Sequence, residues 1–560
     1  MLRKQITRRG FVGGMASAAA ASVLGACGST NSETSQVDQA AESDASGQEA
    51  TATGTAAPEV QVTGGTISGT VSEDGQVAIY KGIPYAAPPV GDLRWKAPAP
   101  VVGWDGTREC VQYAPAAIQP EQAPFLMWTE EFIIDTSLGY DEDCLYLNVW
   151  APVDAANAPV VLFIHGGGNT SGGASCDVYD GTEIAKKGVV YVNCNYRVGI
   201  FGFLATSELS QEDPDKVSGN YALKDLLAVL NWIKDNIASF GGDPTNVTIS
   251  GQSAGCENVN TLTICPEAEG LFNNALTMSY SLVGSKRVTL AEKEAEGDAI
   301  FAGKTLEEMR AMPADEVQAL SGSDLATAVA SYCIDGKYVI GDYDEVLSAG
   351  KGLSVNVVTG QVTGDRLLFG SFLSGANAFA PDITEPETSA DYEALAKEKL
   401  GDLAEDFLEI YPVKTDEDVA AQIAASNADY EVVTECKNAD LRKQNNANDK
   451  VFVYYFSHVM PGPEAEAMGA FHTADVPYWI NHYSLARADY WTDVDHEVGD
   501  AMSNYLVNLA GSGDVNGDNV EPWTPYERGS DITYMEFGDV VAEKAFDDKK
   551  NAFWKANLEL

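Results

Sequence analysis

The chain has 560 residues, 45% hydrophobic and 9% aromatic, enough to bury a large core and to exclude a disordered, collagenous or small disulfide-scaffold protein. Against 35 Lys and Arg stand 83 Asp and Glu, a formal net charge of −48 at pH 7. That balance repels nucleic-acid phosphates and anionic lipid head groups, so it argues against nucleic acid as a partner and says nothing about fold.

In chain order, residues 1–26 come first. Arg3, Lys4, Arg8 and Arg9 stand without an acid, and Phe11 to Ala26 are small and apolar. This reads as a signal peptide. The apolar run is too short and too weakly hydrophobic for a transmembrane helix, which needs about 20 apolar residues. Thr7-Arg8-Arg9-Gly10-Phe11-Val12 resembles a twin-arginine export motif, with an ordinary basic leader as the alternative. Leu24-Gly25-Ala26-Cys27 resembles a bacterial lipobox, which would make Cys27 the lipidated first residue of a protein held on the outer face of the cytoplasmic membrane, or a secreted one if the lipobox is unused.

Residues 27–62 follow as an expected tether. From Gly28 to Val62 there are six acidic residues and no Lys, Arg or aromatic residue, a composition that cannot bury enough apolar surface to fold. Residues 63–560 carry no further low-complexity break and no repeat, so they are expected to form one large domain.

Within it, Val160 to Ile164, Gly188 to Asn193, Val247 to Ser250, Val355 to Val358 and Val451 to Phe456 are short apolar runs of the kind found in buried parallel strands. Between them, Tyr221 to Phe240 places Leu223, Leu226, Leu227, Leu230, Ile233 and Ile237 at helical spacing. Strand and helix in alternation predict an α/β fold with a mostly parallel central sheet.

Two motifs carry chemistry. After the first strand comes His165-Gly166-Gly167-Gly168, where successive glycines let backbone N–H groups converge on one point, as an oxyanion requires; a phosphate-binding or linker loop is the alternative. After the third comes Gly251-Gln252-Ser253-Ala254-Gly255, a Gly-x-Ser-x-Gly pattern between strand and helix. Small residues flank such a serine because its backbone is strained and its neighbours pack closely. Alone the pattern also fits a glycine-rich turn. The Ala254 N–H would be a third oxyanion donor. With five histidines in the chain, four lie after the serine, and from residues alone His458 at a strand end is as good a candidate base as any.

Larger blocks now resemble one family. Ala78-Ile79-Tyr80-Lys81-Gly82-Ile83-Pro84-Tyr85-Ala86-Ala87-Pro88-Pro89-Val90-Gly91-Asp92-Leu93-Arg94-Trp95 is similar to the N-terminal block of type-B carboxylesterases and cholinesterases. Glu142-Asp143-Cys144-Leu145-Tyr146-Leu147-Asn148-Val149, Asn195-Tyr196-Arg197-Val198-Gly199-Ile200-Phe201-Gly202-Phe203-Leu204 and Asn236-Ile237-Ala238-Ser239-Phe240-Gly241-Gly242-Asp243-Pro244 continue it in family order. The resemblance implies an α/β-hydrolase with triad order Ser, acid, His, acting on small-molecule esters through an acyl-enzyme, without metal or cofactor. It implies Ser253 as nucleophile, Gly167, Gly168 and Ala254 as oxyanion hole, and Asp365 as acid, here Asp-Arg where the family more often has Glu-Gly. It selects His472 within Gly469-Ala470-Phe471-His472-Thr473-Ala474-Asp475-Val476-Pro477-Tyr478, leaving His458 a structural role. Gln252 stands where the family usually has Glu.

The same resemblance pairs Cys110 with Cys144 as a disulfide. Cys176, Cys194, Cys256, Cys265, Cys333 and Cys436 stay unassigned, with a buried thiol as one option for Cys194. Trp128, within that loop, is read as a packing or surface residue rather than the cation-binding Trp of cholinesterases. A catalytically silent adhesion or hormone-precursor module and a serine peptidase are the readings from other classes. The oligomeric state is not legible.

Overall fold

Odd and even residues of the central strands face opposite sides of one sheet, and both sides are covered, which is why the strands read as unbroken apolar runs rather than alternating ones. Val160, Leu162, Ile164, Val190 and Val192 face one helical layer; Val161, Phe163 and Tyr191 face the other. The structure, a computed structural model, describes residues 57–125, 128–320, 330–377, 382–463 and 465–558. The expected signal peptide, Cys27 and most of the expected tether lie outside the described residues.

Eleven strands build the sheet: β1 (Thr70–Val71), β2 (Val77–Pro84), β3 (Tyr146–Pro152), β4 (Ala158–Ile164), β5 (Val190–Cys194), β6 (Gly242–Gln252), β7 (Asn274–Met278), β8 (Asn356–Val362), β9 (Val451–Phe456), β10 (Thr533–Phe537) and β11 (Val541–Ala545). Their spatial order is β11-β10-β9-β8-β7-β6-β4-β5-β3-β2-β1. From β5 across to β10 the neighbours are parallel; β1, β2, β3 and β11 join antiparallel. Helices α1 (Tyr221–Asn236), α2 (Ala254–Leu262) and α4 (Val419–Asn445) cover one face. The short α5 (Val476–Trp479) and the long α6 (Asp493–Ser512) cover the other, while α3 (Asp365–Phe369) sits beyond the end of β8. This is one domain with the mostly parallel α/β sheet that the alternating pattern predicts, in the α/β-hydrolase architecture that the resemblance implies. The helical periodicity read to Phe240 resolves into α1 and a 3-10 turn, Ile237–Phe240, ended by Gly241 in the left-handed region.

Buried polar pairs fasten the family-like blocks to one another and to neighbouring elements. Arg94 makes a bidentate contact with Glu142. Arg197 grips Asp225 of α1 through Nε at 2.8 Å and Nη2 at 2.6 Å, and Asn148 of β3 donates to Asn193 of β5 at 2.7 Å. Removing one member of such a pair strands a buried charge or dipole.

Two expectations are corrected. The tether does not extend to residue 62: Val60–Val62 is a strand paired antiparallel with Gly65–Ser68, both valines are buried, and the Pro58 carbonyl accepts from Tyr80 at 2.8 Å. The averaged composition of the segment hid this terminal Val-x-Val alternation. Nor are Cys110 and Cys144 joined; all eight cysteines among the described residues are buried free thiols. Cys110 and Cys144 pack within the apolar core, and burial raises the Cys110 thiol to about 11, well away from the thiolate that disulfide exchange needs. No helix among the described residues is long and apolar enough to cross a membrane.

His458, beyond the end of β9, ties three segments together. Its Nε2 lies 2.9 Å from Asp495 of α6 and its Nδ1 2.7 Å from Asp539, and Tyr478 of α5 also donates to Asp495 at 2.7 Å. Burial opposes charge on His458, but the two carboxylates outweigh it and raise the imidazole. Burial likewise pushes Asp495 up, yet hydrogen bonds from His458, Thr492 and Tyr478 hold it at about 2. A raised folded value means that the His458 contribution is complete below the unfolded value of about 6.5 and is lost as pH rises through the folded one. The His458→Gln variant should therefore be less stable than wild type by about 2 kcal/mol at pH 5.5, with a smaller gap at pH 9. Urea unfolding at the two pH values measures both.

Candidate active site

The serine sits where β6 gives way to α2. Its backbone has φ 58° and ψ −122°, a conformation costly for a side chain with a Cβ. Neighbouring glycines make the turn possible by letting backbones touch. A Cβ on Gly255 would lie 2.0 Å from the Ile164 carbonyl oxygen, and one on Gly251 would lie 2.4 Å from that of Gly255. The Ser253 N–H donates to the Met278 carbonyl at 2.9 Å, and the Ser253 carbonyl accepts from Glu257 at 3.0 Å, which pins both sides of the turn.

The glycine loop leaves β4 directly against this elbow. A Cβ on Gly166 would stand 2.7 Å from the Gln252 carbonyl oxygen and 3.0 Å from the Ser253 Cβ. Gly167 and Gly168 have φ of 111° and 62°, reachable without strain only by glycine. The Gly167 carbonyl is satisfied by Thr170 and Ser171 N–H groups at 3.1 and 3.0 Å. Two residues that the sequence reading missed hold the loop from outside. Gln119 exchanges two hydrogen bonds with Gly172, at 2.7 and 2.8 Å, and Glu257 accepts from Asn169 at 2.9 Å. His165 stacks on Tyr196 with ring centroids 4.3 Å apart, and burial lowers it to about 4, so it is a neutral structural ring.

Asp365 opens α3 and His472 lies on the loop before α5. Asp365 Oδ1 is 2.6 Å from His472 Nδ1, with both residues buried. Aspartate is a methylene shorter than glutamate, and Gly364 makes up the reach: its N–H donates to the Ala470 carbonyl at 2.7 Å, and a Cβ there would lie 2.5 Å from that oxygen. Arg366 does not disturb this approach. Its guanidinium turns away to Glu431 on α4, donates to the Gly370 carbonyl at 3.0 Å and covers the Tyr430 ring.

His472 is boxed by the edges of Phe369 and Trp128, at ring distances of 5.2 and 6.4 Å. Trp128 does pack, as read, but it packs on this histidine, and its Nε1–H donates to Thr473 Oγ1 at 2.7 Å. Thr473 has φ 88°, unusual for a β-branched residue, and its hydroxyl also donates to the His472 carbonyl. The Nε2 face of His472 meets the Gln252 carboxamide nitrogen at 3.0 Å. Among the described residues, Ser253 Oγ makes no hydrogen bond to His472. The structure thus brings Asp365 and His472 together and stacks the glycine loop on the serine elbow, while the serine-histidine link is open. Such links often tighten only with substrate.

Asp475, three residues beyond the histidine, is a further buried carboxyl. Burial raises it to about 7; the Tyr454 hydroxyl, donating at 2.7 Å, pulls it down and the nearby Asp365 pushes it up. Its other oxygen is buried without a hydrogen-bond partner. The only sequence signal for it was its place inside the histidine block.

Comparison with known proteins fits this geometry. The model of the "Carboxylesterase family" matches residues 56–554. A fumonisin B1 esterase of Sphingopyxis macrogoltabida is 33% identical over 486 residues, covering 84% of each chain. A para-nitrobenzyl esterase of Bacillus subtilis (strain 168) is 41% identical over 239 residues, 42% of this chain and 46% of that one. A crystal structure of a Geobacillus stearothermophilus carboxylesterase superposes with a TM-score of 0.69 at 27% identity, over 89% of this chain and 99% of that one. The protein belongs to the carboxylesterase family.

Proposed function

We propose that this esterase hydrolyses small-molecule carboxylic esters through an acyl-enzyme on Ser253, with His472 as base and acid, Asp365 as its orienting carboxylate, and the Gly167, Gly168 and Ala254 N–H groups as oxyanion donors. The observation that carries the assignment is the buried 2.6 Å contact between Asp365 and His472 beside the serine elbow. In the first half-reaction Ser253 Oγ attacks the carbonyl carbon as its proton passes to His472 Nε2, and the oxyanion is held by backbone N–H groups. The ester C–O bond then breaks, and Nε2 returns the proton to the leaving alcohol. Water repeats the sequence on the acyl-enzyme and releases the acid. Since the leaving alcohol takes its proton from His472, it departs along the wall formed by Trp128 and Phe369, which favours apolar or aromatic alcohols. Relatives named for fumonisin B1 and para-nitrobenzyl esters are consistent with bulky alcohols.

Ser253→Ala should abolish hydrolysis of p-nitrophenyl esters and labelling by an organophosphonate while the melting curve stays near wild type; an alanine variant that still labels would remove Ser253 from the mechanism. Asp365→Asn should lower kcat by ~10³ to 10⁴, because an amide can turn its NH₂ to Nδ1 and favour the wrong tautomer, and it carries no charge to stabilise the imidazolium. Asp365→Glu should keep more activity than Asp365→Asn. A loss under about tenfold for Asp365→Asn, less than ~1.4 kcal/mol, would assign the acid to another carboxylate.

The leader is part of the same reading: export and lipidation at Cys27 would tether the enzyme outside the cytoplasmic membrane. Cys27→Ser should shift activity from the membrane fraction to a soluble or unprocessed form, and unchanged partitioning would rule the anchor out.

A further inference from the structure

Gln252 is the one polar side chain of the strand-to-helix turn that the mechanism above leaves without a task. It is the last residue of β6, 1% exposed, with its carboxamide nitrogen 3.0 Å from His472 Nε2 and its carboxamide oxygen lying against Gly166. A proton inventory gives the contact its meaning. Asp365, when ionised, only accepts, so the 2.6 Å contact puts a proton on His472 Nδ1. In the neutral ring Nε2 then carries a lone pair and needs a donor. An amide NH₂ supplies one; a carboxylate at the same position would instead demand Nε2–H and hold the ring as imidazolium.

We propose that Gln252 is a positioning residue that caps the catalytic base, donating its amide proton to His472 Nε2 so that the ring rests as a neutral base and activity extends to lower pH than a carboxylate at residue 252 would allow. The inference rests on the esterase reading and on His472 as its base. The same contact accounts for the open serine link: Gln252 and Ser253 compete for one lone pair, and the amide must yield before the serine proton can transfer. Once Nε2 is protonated the NH₂ faces N–H, a mismatch that favours passing the proton on to the leaving alcohol.

Other charged groups bear on His472. Asp365 holds Nδ1, and Asp475 lies on the same loop, bonded to Tyr454 of β9. The Arg366–Glu431 pair lies behind Asp365, and Glu257 stands one turn along α2 from the serine. All of these are common to the variants below, so differences among variants report residue 252 alone.

The test is the pH profile of kcat/KM for p-nitrophenyl acetate, from pH 4 to 9, with the full chain as wild type, Gln252→Glu and Gln252→Met. The acid limb should move to higher pH in the order wild type, Met, Glu, with the Glu variant displaced by at least one pH unit and so at least tenfold slower on the limb. A merely structural role would lower the amplitude and leave the three limbs superimposed; that result, or a Glu limb displaced to lower pH, overturns the proposal. If the Glu variant does not fold, the Met limb decides: displaced upward supports the cap, coincident with wild type overturns it. Ser253→Ala measured alongside separates the two readings. Residual turnover in the alanine variant defeats the esterase assignment itself, whereas a dead alanine variant with coincident limbs defeats only the role of Gln252.

Discussion

The site depends on a place where two backbones touch with no side chain between them. Gly255 lies against the end of β4 and Gly251 against Gly255, so closely that an added Cβ would meet a carbonyl oxygen within 2.4 Å. That contact forces Ser253 into its left-handed conformation, a strain on the order of 1–3 kcal/mol, which is held by hydrogen bonds from the β7 end and the first turn of α2. It also brings the glycine loop, through Gly166, onto the same turn. The serine and the glycine loop are therefore brought together by one packing event at the C-terminal edge of the parallel strands, where open α/β sheets gather their sites.

Burial of charge supplies the second layer of organisation. Asp365 is balanced by His472 and the dipoles around it, while the next carboxyl, Asp475, is brought toward neutrality by burial and by its proximity to Asp365. Two full negative charges so close in a poorly polarisable interior would repel strongly. Arg366 is paired with Glu431, and its raised guanidinium also feels the nearby Asp365 carboxylate.

Much of this was legible in the sequence. The runs at Val160 to Ile164 and Val451 to Phe456 became β4 and β9, and the Gly-x-Ser-x-Gly pattern marked the elbow because its steric demand is local. The meeting of Asp365 with His472 was legible only through the family-like blocks, since a carboxylate and an imidazole separated by 107 residues carry no local signal of it. Gln119 and Asp475 were missed for the same reason: their partners come from other segments. The Cys110–Cys144 bond was a family feature carried onto thiols that here pack in the core. The tether boundary failed because a compositional average over residues 27–62 hid Val60 and Val62, whose burial is decided by the strand at Gly65–Ser68.

The central claim is that one backbone-packed turn places the serine, the glycine-loop donors and the histidine around a single carbonyl. A crystal structure of the organophosphonate adduct tests it most directly. The account predicts phosphorus bonded to Ser253 Oγ, its oxygen within hydrogen-bond distance of the Gly167, Gly168 and Ala254 N–H groups, and His472 still bonded to Asp365. Phosphorus on another residue, or its oxygen turned away from those N–H groups, would contradict it.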